Sequence, residues 1–492
     1  MTSRACQAPK NPDDPLTGSL HPTILWRDDR RKSMPEATRR KRRQVRIVYT
    51  RNWCKSCGIC VEKCPRKVID HDFEAGLGYR KAIYTPFPQA VPRIPVIDTQ
   101  SCIFFERGKC RACEKVCPTN AIAFDQKDEM IEIDVGNIVL ATGWKMFDCR
   151  RLPQYGYGRL PNVYTNLEFE RLCNAAGPTG GKIVLRDRKT EPRSVAIIHC
   201  VGSRDVHSNE FCSAVCCMAA LKFGHLVLEK TKAEVYSFYI DMRTNQKGYE
   251  EFYQRLLEEG MHFVRGKVAE VTDAARLPSE QGQLIVQVED TLLGKQRRIP
   301  VDMVILMGAM EPQADAKEMG LKCGISCSMA GWYTERHPKL DPVATMTDGV
   351  FVAGVCQGPK DIPASVAQGA AAAARIQAMI TKGTVMIEPI VASINEEGCS
   401  GCRICNNLCP FNAIEYDEDK KVSRVITAMC KGCGTCVAAC PAGVITGAHF
   451  NNQQILAEIQ GALWDASPNG DGLGGDGAAP SAPSAAPAAL VS

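Results

Sequence analysis

The run Cys54-Lys-Ser-Cys57-Gly-Ile-Cys60-Val-Glu-Lys-Cys64-Pro65 decides how the rest of this chain is read. Three thiolates at i, i+3 and i+6 in a tight loop reach three corners of one cuboidal cluster. A fourth, followed by proline, swings away to a neighbouring cluster, and C-x2-C-x2-C-x3-C-P is the bacterial run that holds [4Fe–4S]. Cys399, Cys402, Cys405, Cys409 and Pro410 repeat it, as do Cys430, Cys433, Cys436, Cys440 and Pro441. A fourth copy, Cys102, Cys110, Cys113, Cys117 and Pro118, is stretched, with seven residues between its first two cysteines. Structural zinc is the competing reading, but it needs neither the third cysteine of each run nor the trailing proline.

Because the runs come in pairs, the last cysteine of each is expected to cross to the other's cluster. Cys54, Cys57, Cys60 and Cys117 then share one cluster, and Cys64, Cys102, Cys110 and Cys113 a second. Cys399, Cys402, Cys405 and Cys440 share a third, and Cys409, Cys430, Cys433 and Cys436 a fourth. Each pair makes a two-cluster ferredoxin domain, at residues 45–130 and 391–464.

Around these domains the composition is that of a globular protein: 492 residues, 45% hydrophobic and 23% charged, enough for about three folded units. The 26 cysteines, with no apolar leader ahead of them, argue for metal and not for a disulfide framework. No run approaches the ~18 apolar residues of a membrane span, so a cytoplasmic, reducing setting is expected. The net charge of +5 belongs to residues 1–50, where twelve Lys/Arg face five Asp/Glu. Residues 1–44, with Arg39-Arg40-Lys41-Arg42-Arg43, read as a disordered basic arm, and residues 465–492, rich in Gly, Pro, Ser and Ala, as a disordered tail. The arm lacks the folded basic face or interleaved aromatics of a nucleic-acid site, so no nucleic-acid partner is expected. The apolar spacing of Ile455, Leu456, Ile459 and Leu463 predicts a helix whose stripe packs on its own ferredoxin domain, with partner docking as the alternative.

Between the ferredoxin domains, residues 131–390 alternate strand and helix patterns. Gly136–Gly143 reads as a short buried strand ending in a small-residue turn, and Ser194–His199 as a second strand. Helix 211–230, strand 234–240 and helix 249–259 follow, a βαβ unit that implies a parallel sheet. A dinucleotide fingerprint belongs at the first turn of such a unit. Cys200-Val-Gly202-Ser-Arg204-Asp205 stands there instead, which disfavours an ordinary nicotinamide site, although Arg204 is a group that could hold a phosphate. Cys212 and Cys216 are expected on one face of the helix with Cys217 beside them, and Cys200 arrives from the sheet. These four form a candidate fifth cluster within residues 200–217, the alternative being small buried hydrophobes. Cys6, Cys149, Cys173, Cys323, Cys327 and Cys356 read as scattered structural thiols.

Several of these stretches carry a resemblance. Gly76 to Pro92, Gly177-Pro-Thr-Gly-Gly181, Cys200 to Asp205 with Cys212-x3-Cys216-Cys217, His337-Pro-Lys-Leu340 and Asp348 to Gln368 resemble the A subunit of heterodisulfide reductase and its bacterial relatives, from about Glu74 to Leu463. The resemblance implies an α/β fold: a nucleotide-binding core of thioredoxin-reductase type flanked by two 2×[4Fe–4S] α+β ferredoxin domains. It also implies FAD, with Ala141, Thr142, Gly143, Gly349, Gly354, Ser365 and Gln368 on its binding side and a helix from Ile362 pointing its N-terminus at the flavin. The family's Gly-rich FAD turn is absent, so half the cradle is missing, and the opening Val45–Trp53 is more similar to the ferredoxin-like subunit of 2-oxoacid oxidoreductases.

The expected activity is that of an iron–sulfur electron-transfer subunit in a heterodisulfide-reductase-like complex, passing single electrons between partners. Those partners would be B- and C-like subunits, hydrogenase- or dehydrogenase-type donors and ferredoxin, with disulfide chemistry on a different polypeptide. Alternatives are a flavin-bifurcating subunit that completes its FAD site with another chain, and a redox-sensing or scaffold protein. No catalytic triad or paired-carboxylate pocket is evident. Protein purified without oxygen is expected to carry at least four cubanes, about sixteen irons, and about twenty if Cys200, Cys212, Cys216 and Cys217 hold a fifth. Fewer than about twelve irons, or zinc in their place, contradicts the reading.

Overall fold

The computed structural model describes residues 47–49, 54–69, 71–126, 132–383, 390–411 and 413–465. The expected basic arm, Cys6 and all of the tail past Asp465 lie outside them. The chain divides into two units, one of Met1–Asp134, Phe147–Cys212 and Cys216–Ala309, the other of Val135–Met146, Ser213–Val215 and Met310–Ser492.

The first unit is organised by Ser194–Val201, a strand in which every residue is buried. A run of Val, Ala and Ile covered on both faces suits the centre of a parallel sheet. Glu234–Tyr239 and Met303–Gly308 flank it in parallel, and His262–Arg265 and Val163–Thr165 complete the five-stranded sheet at its edges. An antiparallel meander of Val268–Thr272, Leu284–Asp290 and Lys295–Val301 precedes the last strand in sequence. The predicted strand at 234–240 and helix at 249–259 are present to within a residue.

The helix predicted over 211–230 begins only at Cys216. Ala214 adopts φ 58, a left-handed conformation that an α-helix cannot continue through. Cys212 therefore sits in the preceding loop, and the expectation that Cys212 and Cys216 share a helical face is corrected. Within the helix Cys216, Cys217, Ala220, Leu221, Phe223, Gly224 and Val227 are buried, the stripe expected of a helix laid on a sheet.

The N-terminal ferredoxin domain lies in the same unit. Ile47–Tyr49 and Ile83–Tyr84 pair with Val96–Asp98, and Lys67–Ile69 pairs with Tyr79–Lys81. Its links to the sheet domain are apolar and ionic: Leu77 is buried with Tyr164 and Phe169, and Arg171 donates to both oxygens of Glu74 at 3.0 and 3.1 Å and stacks over Phe73 at 4.3 Å. Both charged side chains are nearly buried, at 13% and 10% exposure.

In the second unit Ile138–Leu140 pairs in parallel with Val350–Val352. Of the first strand only Leu140 is buried and Val139 is exposed, so the predicted buried strand from Gly136 to Gly143 is shorter and more open than expected. A two-stranded ribbon covers little of either face. The helix Ile362–Lys382 starts where predicted, capped by Asp361, whose carboxylate accepts from the Ala364 N–H at 2.9 Å. The C-terminal ferredoxin domain pairs Ala392–Ile394 with Ile445–Gly447 and Ile414–Asp417 with Val422–Val425. Lys431 of that domain pairs with Asp348, which also binds Arg336.

The last helix, Asn452–Asp465, does not pack its stripe on the ferredoxin domain. Ile455, Leu456, Ile459 and Leu463 are 40% to 67% exposed. The ferredoxin core closes around Ala392, Cys405, Ala413, Ile414, Cys430, Cys436 and Ile445 without any residue of this helix.

The buried Glu74–Arg171 pair makes a stability prediction. Arg171→Met is expected to cost about 3–5 kcal/mol in urea unfolding because Glu74 is left charged and buried, whereas Glu74→Leu with Arg171→Met should recover most of it. A single-variant loss below about 1 kcal/mol contradicts the assignment of this pair as the buried link.

Candidate metal centres

Four cavities bring the sixteen ferredoxin cysteines together. Cys54, Cys57, Cys60 and Cys117 line one. Cys64, Cys102, Cys110 and Cys113 line a second. Cys399, Cys402, Cys405 and Cys440 line a third. Cys409, Cys430, Cys433 and Cys436 line the fourth, a wider one of about 410 Å³ that reaches Phe411 and Phe450. In each domain the thiol ahead of proline lies in the cavity of the partner run. The stretched run reaches its cavity because Ile103–Arg107 forms a short helix, closed by Gly108 at φ 66, and Cys110 turns back at φ 103.

Among the described residues no three Cys, His, Asp or Glu side chains converge on a point that would hold one ion. Each set of four gathers around one cavity instead, and the third cysteine of each run with the trailing proline is the feature that suits a cubane better than zinc. Burial, with the crowding of Cys54, Cys57 and Cys117, pushes the Cys60 thiol up to about 11. Burial and Cys102 push Cys113 up to about 12. Thiols gathered this closely hold negative charge only when a positive group sits among them, as iron would. Backbone amides add to this: Ala121 N–H donates to Cys117 Sγ and Ala413 N–H to Cys409 Sγ, both at 3.3 Å and both four residues past the cysteine.

The Cys200 site lies where the central strand ends and the Cys216–Lys230 helix begins. Cys200 sits at φ 57, uncommon for a residue with a side chain, and Gly202 at φ 77. A Cβ on Gly202 would come within 2.6 Å of the Phe147 ring, so the ring packs closely over this turn. Cys216 is hydrogen-bonded to both Cys200 and Cys217. Through these bonds Cys216 lowers Cys217 and Cys200 against burial, while Cys216 itself is pushed up. The helix start beside Cys216 and Cys217 favours the same thiolate charge.

Three polar atoms around these thiols are buried without a hydrogen-bond partner: His199 Nδ1, Ser203 Oγ and Arg204 Nη1. Arg204 uses its other terminal nitrogen on Asp241 at 2.7 Å, and its charge is felt by Cys200 and Cys212. A site with orphaned donors, a guanidinium and gathered thiols fits an anionic thiolate-bound group. Sequence reading passed over His199 and Ser203, although a histidine inside a run of buried apolar residues is a visible signal.

The positions implied for FAD form an open turn. Gly143 and Gly354 adopt φ 72 and φ 77, and a Cβ on either would meet nothing within 4 Å. Gln368 Oε1 accepts from Gly354 N–H at 2.8 Å and Ser365 Oγ donates to the Asp361 carbonyl at 2.7 Å, so both polar side chains are spent inside the turn. Thr142 lies beside Tyr333, whose buried hydroxyl has no hydrogen-bond partner, and Ala141 and Gly349 offer backbone alone. At the start of the helix that the resemblance points at a flavin, the Asp361 carboxylate accepts from the Ala364 N–H at 2.9 Å. These residues fit the small-residue side of a flavin and supply no polar clamp for it.

The remaining thiols behave as core. Burial pushes Cys149 and Cys173 up to about 12 and raises Cys323, Cys327 and Cys356. Cys323, Cys327 and Cys356 pack with Tyr333 and Leu140, as inert buried cysteines do.

Comparison with known proteins agrees with this geometry. A family described as a 4Fe-4S dicluster domain matches residues 53–121, and another of the same description matches residues 392–441. The A subunit of the H(2):CoB-CoM heterodisulfide,ferredoxin reductase of Methanothermobacter marburgensis is 47% identical over 413 residues, 83% of this chain and 61% of that protein. The iron-sulfur A subunit of the CoB--CoM heterodisulfide reductase of Methanocaldococcus jannaschii is 43% identical over 417 residues, 84% of this chain and 62% of that protein. The chain thus spans about three fifths of the length of these relatives. The solved thioredoxin reductase of T. acidophilum aligns with 50% of this chain and 66% of its own at 14% identity and a TM-score of 0.32, too low to argue from. Over the greater part of its sequence, the chain is a homologue of the heterodisulfide reductase A subunits.

Proposed function

We propose that this chain is the iron–sulfur electron-transfer subunit of a heterodisulfide-reductase-like complex, relaying single electrons between partner proteins. The observation that carries the reading is the crossed grouping of sixteen cysteines into four cavities. A cubane bound there accepts one electron with little rearrangement, at a potential set by charge, hydrogen bonds and burial. The amides of Ala121 and Ala413 supply such hydrogen bonds. In this reading Cys200, Cys212, Cys216 and Cys217 hold a fifth cluster, supported by the orphaned donors around them.

The relatives' names carry hydrogen, the CoB–CoM heterodisulfide and ferredoxin. By that likeness the partners of this chain are B- and C-like subunits that act on a disulfide, a hydrogenase- or dehydrogenase-type donor, and ferredoxin, in a cytoplasmic complex. Among the described residues no helix is long and apolar enough to cross a membrane. A second reading, flavin-based bifurcation with FAD completed by residues outside this chain, is favoured by the open turn at Gly143 and Gly354.

Cysteine variants in anaerobically prepared protein test the cluster grouping. Cys117→Ser should perturb the same paramagnetic signal as Cys54→Ser, and Cys64→Ser the same signal as Cys110→Ser. If Cys117→Ser instead pairs with Cys110→Ser, the crossed clusters are wrong. Stoichiometric flavin in the same preparation would favour the bifurcating reading, and its absence the simple relay.

A further inference from the structure

The stretched run in the N-terminal ferredoxin domain faces a problem that the regular runs do not. Where two residues separate the first two cysteines, as in Cys399–Cys402 and Cys430–Cys433, the chain itself keeps both thiols near one cluster. Seven residues separate Cys102 from Cys110, and the entropic cost of holding the ends of a loop together rises with its length. Four residues before Cys102 stands Asp98, which is only 5% exposed. Its carboxylate accepts from Arg80 Nη2 and from Ser101 Oγ, each at 2.8 Å, and from the Gln100 N–H at 3.0 Å. Its carbonyl accepts from the Cys102 N–H at 3.0 Å and from the Ser101 N–H at 3.2 Å. Arg80, 10% exposed at its side chain, stacks over the Tyr84 ring at 4.2 Å, so the cation is fixed as firmly as the carboxylate.

The two runs of the C-terminal domain are entered by similar turns without such a pair. The Cys430 N–H donates to the Ile426 carbonyl at 3.2 Å, and Ile426 has no side-chain acceptor to offer. Asn395, an exposed residue four before Cys399, accepts from the Glu397 N–H at 3.1 Å. Of the three runs whose preceding residues are described, the one with the long spacing is thus the one entered through a buried ion pair.

Resting on the reading that Cys64, Cys102, Cys110 and Cys113 hold one cubane, we propose that Asp98 is a positioning residue, locked by Arg80, that keeps the Cys102 thiol on its cluster against the slack of the seven-residue spacing. A buried carboxylate that parted from its cation would be left uncompensated, so the pair does not open. With the carboxylate also tied to the Ser101 hydroxyl and the Gln100 amide, the turn from Asp98 to Cys102 is held in one arrangement. The bond from the Cys102 N–H to the Asp98 carbonyl passes that arrangement to the ligand itself. In the regular runs the short spacing does this work locally, and the residue four places ahead is free to be Ile426 or an exposed Asn395.

The test follows cluster integrity by electron paramagnetic resonance in the full chain, prepared without oxygen and then treated with ferricyanide. Ferricyanide takes one electron from [4Fe–4S]²⁺, and a corner iron whose thiolate has withdrawn leaves as Fe²⁺, so that [3Fe–4S]⁺ remains. Asp98→Ala should form this three-iron signal about tenfold faster than wild type, the effect of losing a charged hydrogen-bond network. The signal should match that of Cys102→Ser, while the cluster of Cys54, Cys57, Cys60 and Cys117 in the same domain stays intact; a general loosening of the domain would expose both. Asp98→Asn, which keeps an acceptor for Gln100 and Ser101 and loses the charge facing Arg80, should fall between wild type and Asp98→Ala. Asn395→Ala should leave its cluster as resistant as in wild type. Conversion of Asp98→Ala at the wild-type rate overturns the proposal, and so does equal sensitivity in Asn395→Ala. Should Asp98→Ala fail to fold, Ser101→Ala decides, because it leaves the ion pair in place: a smaller acceleration supports the proposal and an unchanged rate overturns it. Cys64→Ser and Cys110→Ser perturbing different signals is a separate result, since it removes the cluster grouping itself.

Discussion

Everything in the two ferredoxin domains depends on bringing four thiols around one small volume. Four thiolates at such separations repel, and they are held together only by a positive group between them and by donors behind them. In the N-terminal domain the buried cluster contains Cys60 and Cys64 with Ala82, Ile83, Ile97, Ile122 and Phe124, and Cys102, Cys113 and Cys117 pack against it. In the C-terminal domain Cys405, Cys430 and Cys436 stand in the core with a few small apolar residues. Domains this small cannot bury enough apolar surface to be secure. The thiols and whatever they hold therefore take the place of a hydrophobic core, and the crossing of the last cysteine ties each run to its partner.

The same economy operates at the end of the central strand. A parallel sheet places the C-terminal ends of its strands and the N-termini of its helices at one edge, where ligands bind. Here Phe147 closes the turn at Gly202, and thiols at Cys200, Cys216 and Cys217 stand where glycines would approach a pyrophosphate. Arg204, tied to Asp241, keeps positive charge beside them.

In the second unit the balance differs. The ribbon of Ile138–Leu140 and Val350–Val352 is two strands wide, and its turn spends Ser365 and Gln368 on internal hydrogen bonds. Charge there is arranged for structure: Asp361 caps the long helix, and Asp348 joins Arg336 to Lys431 of the ferredoxin domain. Burial would raise the Asp348 carboxyl, but the two cations hold it below its usual range.

Spacing alone determined that Cys54, Cys57 and Cys60 act as one group, because three thiols within seven residues are bound by local geometry whatever surrounds them. The run of Val, Ala and Ile at 194–198 likewise announced the central strand, since burial on both faces leaves no alternation to read. Local pattern failed where distant contacts decide. It could not show that Ala214 breaks the helix before Cys216, or that the ferredoxin core closes without the Asn452–Asp465 stripe. The pairing of His199 with Ser237, and of Arg204 with Asp241, crosses more than thirty residues of sequence to an adjoining strand and the loop after it. Those contacts exist only because the sheet lays the two segments side by side, and so the tertiary structure alone placed donors around the Cys200 thiols.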